Sequence, residues 1–312
     1  MKPSYLLFSI LIILLACSDT EKAPDGPIHV TEGYLSINGS EVYYKALGGG
    51  APMIIVHGGP VMDHSYFLPH MEELARDYQL IFYDQRACGR SSLEVDQSKM
   101  SLSAFVEDIE LLRQELELGE IHLLGHSWGG LLAMKYAIRY PEHLQSLILS
   151  NSLPASTGHW QKEQELLAQR LTKQDSLDRL EIANSEEMKS NPAAVVEKIL
   201  RLSFEPQFYN PALLDKLSLY VPDDYMARSQ AFQALGPDLV GFNLYNDLGL
   251  MKKPTLVLYG DQEPAADISG KALAAAMPDA ELVLLKECGH FPFVELPEAY
   301  FEAIRTFLEM QD

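Results

Sequence analysis

Residues 121–140 read IHLLGHSWGGLLAMKYAIRY. The apolar run Ile121-His122-Leu123-Leu124 enters Gly125-His126-Ser127-Trp128-Gly129-Gly130, and an amphipathic stretch continues to Tyr140. A short apolar run stopped by glycine reads as a buried strand, and the stretch after it as a helix. The G-x-S-x-G pentapeptide alone says little, because Gly and Ser are common. Its place between strand and helix gives it meaning. A tight turn there lifts the Ser127 hydroxyl above the sheet edge, and the glycines leave room for strained backbone and close helix packing. Ser127 is the candidate nucleophile.

The same rhythm extends in both directions. Upstream, Tyr34–Ile37 and Val42–Tyr44 flank Asn38-Gly39, which favours a type I′ hairpin. Met53–Val56 and Leu80–Tyr83 read as buried strands, Tyr66–Asp77 and Ser101–Leu118 as helices. Downstream come a strand at Leu147–Leu149, then a strand at Thr255–Tyr259, a helix at Ile268–Met277, a strand at Glu281–Leu285 and a helix at Pro297–Met310. Strands alternating with helices imply an α/β fold, a mostly parallel sheet flanked by helices. The alternation pauses over residues 151–250, rich in Glu, Lys, Gln, Leu and Ala. That stretch reads as a helical cap inserted after the sixth strand, over the edge where such sheets bind ligands. The core is then 33–150 plus 251–312.

A serine hydroxyl needs a base, and the base an orienting acid; on this scaffold their order is Ser, acid, His. His290, in Cys288-Gly289-His290-Phe291-Pro292 after the last strand, has that order and that edge. His57 and His126 sit beside the turn positions, where they orient backbone rather than carry protons. The acid falls in Gly260-Asp261-Gln262-Glu263-Pro264. Glu263, three residues past the glycine, is favoured, with Asp261 the rival and turn-bracing carboxylate. Oxyanion donors are expected from the backbone N–H of Trp128, and from His57-Gly58-Gly59-Pro60, with Gly59 preferred.

The chain has 312 residues, with 24 Lys+Arg against 44 Asp+Glu, a formal charge of −20. Such acidity argues against nucleic-acid binding and against electrostatic docking on anionic lipid. Three cysteines cannot build a disulfide framework or a four-cysteine zinc site. Residues 1–16, MKPSYLLFSILIILLA, join one Lys to a short apolar run, as a signal peptide does. The run ends Leu14-Leu15-Ala16-Cys17, which looks like a bacterial lipobox. Cys17 is thus the expected lipidated N-terminus, residues 17–32 a tether, and the location an exported, lipid-anchored one on the cell membrane or outer membrane.

Four segments together resemble the proline iminopeptidase (prolyl aminopeptidase) branch of the α/β-hydrolases, to which an archaeal tricorn-interacting aminopeptidase is also similar. They are His57-Gly58-Gly59-Pro60, Tyr83-Asp84-Gln85-Arg86-Ala87-Cys88-Gly89-Arg90-Ser91, Gly125-His126-Ser127-Trp128-Gly129-Gly130 and Cys288-Gly289-His290. The likeness runs from about Gly33 to the C-terminus, weakly through the cap. It implies a serine aminopeptidase acting on short peptides, often at N-terminal proline, without metal or cofactor. Two positions depart from the pattern: Val61 where a glycine is usual, and Glu263 where Asp is usual. An aminopeptidase also needs a carboxylate for the substrate's ammonium. Gly236-Pro237-Asp238 resembles the stretch that carries one, so Asp238 is the first candidate, followed by Glu205, Asp223 and Asp224. Phe204, Phe208, Tyr225 and Phe232 could line a proline-sized pocket, and Cys88 and Cys288 could meet near the site. The alternative on the same scaffold is an esterase or lactonase, which needs no amine anchor.

Overall fold

The computed structural model describes residues 27–311. The expected leader 1–16, Cys17 and most of the tether lie outside the described residues. Strands β1 (Val30–Ile37) and β2 (Ser40–Leu47) pair antiparallel across Asn38 and Gly39, whose φ angles are 50° and 79°. Positive φ at both central residues is the type I′ geometry that Asn-Gly favours. The remaining strands are β3 (Ala51–Val56), β4 (Tyr78–Tyr83), β5 (Ile121–His126), β6 (Leu144–Ser150), β7 (Thr255–Gly260) and β8 (Ala280–Leu285). They form one sheet in the order β1-β2-β4-β3-β5-β6-β7-β8. The β2–β4 ladder is antiparallel, and every ladder from β4 to β8 is parallel.

The apolar strands are explained by burial on both faces. Ile54, Val56, Leu123, Leu147, Leu149 and Val257 face one core, shared with helices α1 (Leu102–Glu115) and α2 (Trp128–Arg139). Met53, Ile55, Leu124, Ile148, Leu256 and Leu258 face the other, which the C-terminal helix closes with Tyr300, Phe301, Ile304 and Leu308. Cys88 packs in the first core and Cys288 in the second, both as buried free thiols. The expectation that they could meet is therefore corrected: the sheet separates them.

Between β6 and β7 the chain forms α3 (Thr157–Arg170), α4 (Lys173–Ala183), α5 (Glu187–Ser190), α6 (Pro192–Phe204), α7 (Tyr225–Ala231) and α8 (Tyr245–Leu248). An isolated bridge between Ser156 and Asn243 joins the two ends of this helical insert. Helices α9 (Lys271–Ala276), α10 (Pro292–Glu295) and α11 (Pro297–Glu309) complete the chain. Among the described residues no helix is long and apolar enough to cross a membrane.

Two expected helices take other forms. The stretch 66–77 is split into short 3-10 segments, His64–Phe67 and His70–Arg76. Pro69 is the reason: it lacks an N–H, and it pushes Leu68 to an extended backbone (φ −98°, ψ 142°). The stretch 268–277 opens instead as a π-turn, Ala266–Gly270, before α9.

Candidate active site

Ser127 has φ 55° and ψ −121°, a conformation rare outside glycine, at the tip of the β5–α2 turn. Close packing explains its neighbours. A Cβ on Gly129 would lie 2.1 Å from the Val56 carbonyl oxygen, and one on Gly125 would lie 2.5 Å from that of Gly129. No side chain fits at either position. The Ser127 carbonyl accepts from the N–H groups of Gly130 (2.9 Å) and Leu153 (2.8 Å), which hold the turn.

His290 stands on the loop after β8. Its Nδ1 lies 2.9 Å from Glu263 Oε2, with the two side chains 13% and 10% exposed. Glu263, not Asp261, is thus the carboxylate on the imidazole. Asp261 Oδ1 instead accepts from the Glu287 N–H (2.8 Å), bracing the two loops against each other. The backbone around His290 is pinned from several sides. Its N–H donates to the Gln207 carbonyl (2.8 Å), Gln262 N–H to the Cys288 carbonyl (2.9 Å), and Asn151 Nδ2 to the Gly289 carbonyl (3.1 Å). Glu295, buried, accepts from Gly289 N–H (2.9 Å) and from Tyr209 N–H (2.8 Å), tying the loop to the insert.

Two buried histidines organise the nucleophile's surroundings. Gln85 N–H donates to His57 Nε2 (3.1 Å), so Nδ1 carries the proton and donates to the Gly58 carbonyl (2.7 Å). Burial pushes the His57 pKa down to about 4, so it stays neutral. Burial, reinforced by His290, also holds His126 well below its usual range. Neutral His126 donates from Nε2 to the His290 carbonyl (2.9 Å), so its Nδ1 accepts from the Tyr66 hydroxyl (2.9 Å). Tyr66 in turn accepts the Gly58 N–H (2.6 Å). That bond engages Gly58 and leaves Gly59 as the loop's candidate oxyanion donor. The neighbouring indole of Trp128 is fixed by a bond from Nε1 to Gln85 Oε1 (2.9 Å).

Tyr66, His126, Ser127 and His290 line one cavity of about 370 Å³, within the range of small-molecule sites. Gly59, Ser127, Trp128, Glu263 and His290 all line it, as do Phe204 and, from α3, Trp160, Glu163, Gln164 and Leu167. The cavity thus collects every residue expected to carry chemistry except the cap carboxylates. Asp238 is corrected: it is exposed, and its Oδ2 accepts from the Leu102 N–H (2.7 Å), capping α1. Glu205 is exposed and does not line the cavity. Asp223 is exposed, and Asp224 pairs with Arg228 at 2.6 Å. Phe208 stacks on Phe291 (4.9 Å), Phe232 packs on Phe105, and Tyr225 packs against the first core. The carboxylate that does face the cavity, Glu163, was not among the expected ones. Its signal lay in the sequence: Trp160, Glu163, Gln164 and Leu167 recur at i, i+3, i+4 and i+7, one face of a helix.

Among the described residues Asp63, His64 and Asp84 are close enough to hold a cation. Protein groups already satisfy them. Arg90 donates to Asp63 Oδ2 (2.9 Å), and its backbone N–H donates to Asp84 Oδ2 (2.7 Å). His64 Nδ1 pairs with Asp84 Oδ1 (2.6 Å).

A family model described as alpha/beta hydrolase fold matches residues 51–297. The chain belongs to the α/β-hydrolase family. Within it, the chain sits in the proline iminopeptidase-like branch. It is 31% identical over 295 residues to a proline iminopeptidase of Clostridioides difficile, covering 91% of this chain and 99% of that protein. A proline iminopeptidase of Lactobacillus delbrueckii subsp. bulgaricus is 31% identical over 304 residues, 91% of this chain and the whole of that one. The crystal structure of a Mycobacterium smegmatis proline iminopeptidase superposes with a TM-score of 0.64 at 21% identity, covering 90% and 98% of the two chains, a likeness of fold. Solved structures of other titles lie as near in fold, VinJ at a TM-score of 0.68 and 23% identity (90% and 99% covered) among them. This α/β hydrolase is accordingly an enzyme. Val61 has φ 75° and is buried. A β-branched residue is strained in that left-handed backbone.

Proposed function

We propose that the protein is a serine aminopeptidase that releases N-terminal residues, proline foremost, from short peptides. The observation that carries the reading is the 2.9 Å pair between His290 Nδ1 and Glu263 Oε2, in the cavity onto which the strained Ser127 turn opens. Glu263 holds the imidazole in the tautomer whose Nε2 accepts a proton, and stabilises the imidazolium once it forms. Ser127 Oγ gives its proton to His290 and attacks the scissile carbonyl carbon. The oxyanion takes N–H donation from Trp128 and Gly59, whose turns are set before substrate arrives. The intermediate collapses, the C–N bond breaks, and His290 returns the proton to the leaving amine. Water then attacks the acyl-enzyme by the same route and frees Ser127. No step calls for a metal or cofactor. The curated relatives named proline iminopeptidase support the choice of substrate.

The test is a panel of prolyl, alanyl and leucyl anilides beside N-acetylated anilides and short acyl esters, run on the wild type and Ser127→Ala. The expected result is turnover of free-amine anilides, little of the N-acetylated ones, and a loss of at least ~10³-fold in the variant. Turnover confined to the esters overturns the aminopeptidase reading in favour of an esterase.

A further inference from the structure

The loop that carries His290 is fastened to the helical insert at two points. The His290 N–H donates to the Gln207 carbonyl (2.8 Å), and Gln207 lines the cavity. Beside that bond stands Glu295, a buried carboxylate at the end of α10. Its Oε1 accepts from the N–H of Gly289 (2.9 Å), the residue before His290. Its Oε2 accepts from the N–H groups of Tyr209 (2.8 Å) and Asn210 (3.1 Å), which belong to the insert. One oxygen thus serves the catalytic loop and the other serves the insert. The contact has no room for a side chain. A Cβ on Gly289 would lie 2.1 Å from the Gln207 carbonyl oxygen and 2.9 Å from both Glu295 Oε1 and the Tyr209 nitrogen. Burial raises the Glu295 pKa, against the pull of these N–H groups. A carboxylate that accepts at both oxygens leaves no place for a donor of its own.

We infer that Glu295 is a positioning residue for His290: its two oxygens clamp the backbone at 289–290 to residues 209–210 of the insert, and so fix where the imidazole Nε2 stands between Ser127 and the leaving group. Glu295 does not line the cavity and acts through the loop. The insert is thereby part of the histidine's mount as well as a roof over the site. The inference rests on His290 as the proton carrier proposed above, and not on the choice of substrate. An amide at 295 has the same shape but only one oxygen. Its NH₂ must face either the Gly289 N–H or the N–H pair of Tyr209 and Asn210, donor against donor, and one half of the clamp opens. A displacement of about 1 Å at the reacting groups costs roughly 100-fold in rate. That cost falls unevenly on substrates. Every substrate needs His290 to take the Ser127 proton, but only a basic leaving group needs the proton returned.

The experiment measures kcat/KM for prolyl anilide, whose leaving amine must be protonated, and for prolyl nitrophenyl ester, whose leaving group departs as the anion, on wild type, Glu295→Gln and Glu295→Asp. The expected loss on the anilide is at least ~100-fold in Glu295→Gln, and the anilide-to-ester ratio falls at least ~10-fold. Glu295→Asp keeps two acceptor oxygens on a shorter arm, and its ratio should fall between the two. The ratio does not depend on how much of a variant folds, so a purely structural role would lower both rates alike. An unchanged ratio in Glu295→Gln, or in Glu295→Asp where the glutamine variant does not fold, overturns the inference. A wild type that rejects both prolyl substrates overturns the aminopeptidase reading alone, and the same comparison is then made between acetyl methyl and acetyl nitrophenyl esters. Turnover that survives His290→Ala overturns the triad, and this inference with it.

Discussion

Replacing Glu263 by glutamine keeps the side chain's shape and removes its charge. The pair it breaks is short, 2.9 Å, and both side chains are nearly buried. At roughly 4 Å between charge centres and an effective dielectric of about 20, a carboxylate stabilises an imidazolium by about 4 kcal/mol. With 1.4 kcal/mol per tenfold, that is a loss near 10³ in kcat. The glutamine amide can also present its NH₂ to Nδ1 and lock the wrong tautomer, which brings the expected loss toward about 10⁴, as in a serine-protease triad. Glu263→Asp should retain part of the rate. Asp261→Asn should cost less than tenfold, because Asp261 Oδ1 accepts backbone and Gln262 bonds rather than touching His290. Steady-state kinetics on one good substrate, with circular dichroism as the folding check, decides the matter. The reasoning is refuted if Asp261→Asn is the dead enzyme and Glu263→Gln turns over normally.

Three further outcomes follow from the same geometry. The Glu163 pKa, raised from 4.5 to about 8 by burial, means the folded state holds this proton more tightly than the unfolded chain. Its contribution is full below pH 4.5 and is lost as pH rises through 8, up to about 5 kcal/mol in all. Urea unfolding should show Glu163→Gln gaining on the wild type between pH 5 and pH 9; a constant difference would contradict this. Gly289→Ala should lower kcat/KM by about 100-fold, since its Cβ would fall 2.1 Å from the Gln207 carbonyl that holds His290; an active Ala variant would show the loop tolerates movement. Lipidation at Cys17, proposed from the sequence, predicts that Cys17→Ser moves the protein from the membrane to the soluble fraction of a bacterial host, and a variant still in the membrane fraction argues for another anchor.

Elements fixed by local patterning were legible in the sequence. The Asn38-Gly39 turn, the doubly buried strands and the Ser127 elbow each follow from a periodicity or a steric requirement confined to a few residues. The pairing of Glu263 with His290 was legible too, because it depends on how far past β7 the loop delivers a side chain. What escaped depends on contacts between distant segments. Asp238 carries the charge an amine anchor needs, yet it caps α1, and a capping carboxylate looks the same in sequence as a binding one. Glu163 sits in a stretch of Gln, Lys and Glu that resembles a solvated helix, and only the fold of the insert over the sheet edge turns that face inward. The helix expected at 66–77 failed on a single proline.

The central claim is that Ser127 is the nucleophile. Incubation with a fluorophosphonate followed by peptide mass spectrometry tests it directly. One adduct per chain is predicted, on the peptide holding Gly125-His126-Ser127-Trp128-Gly129, with none on Ser127→Ala. An adduct on a different residue, or a wild type that stays unlabelled while hydrolysing substrate, would contradict it.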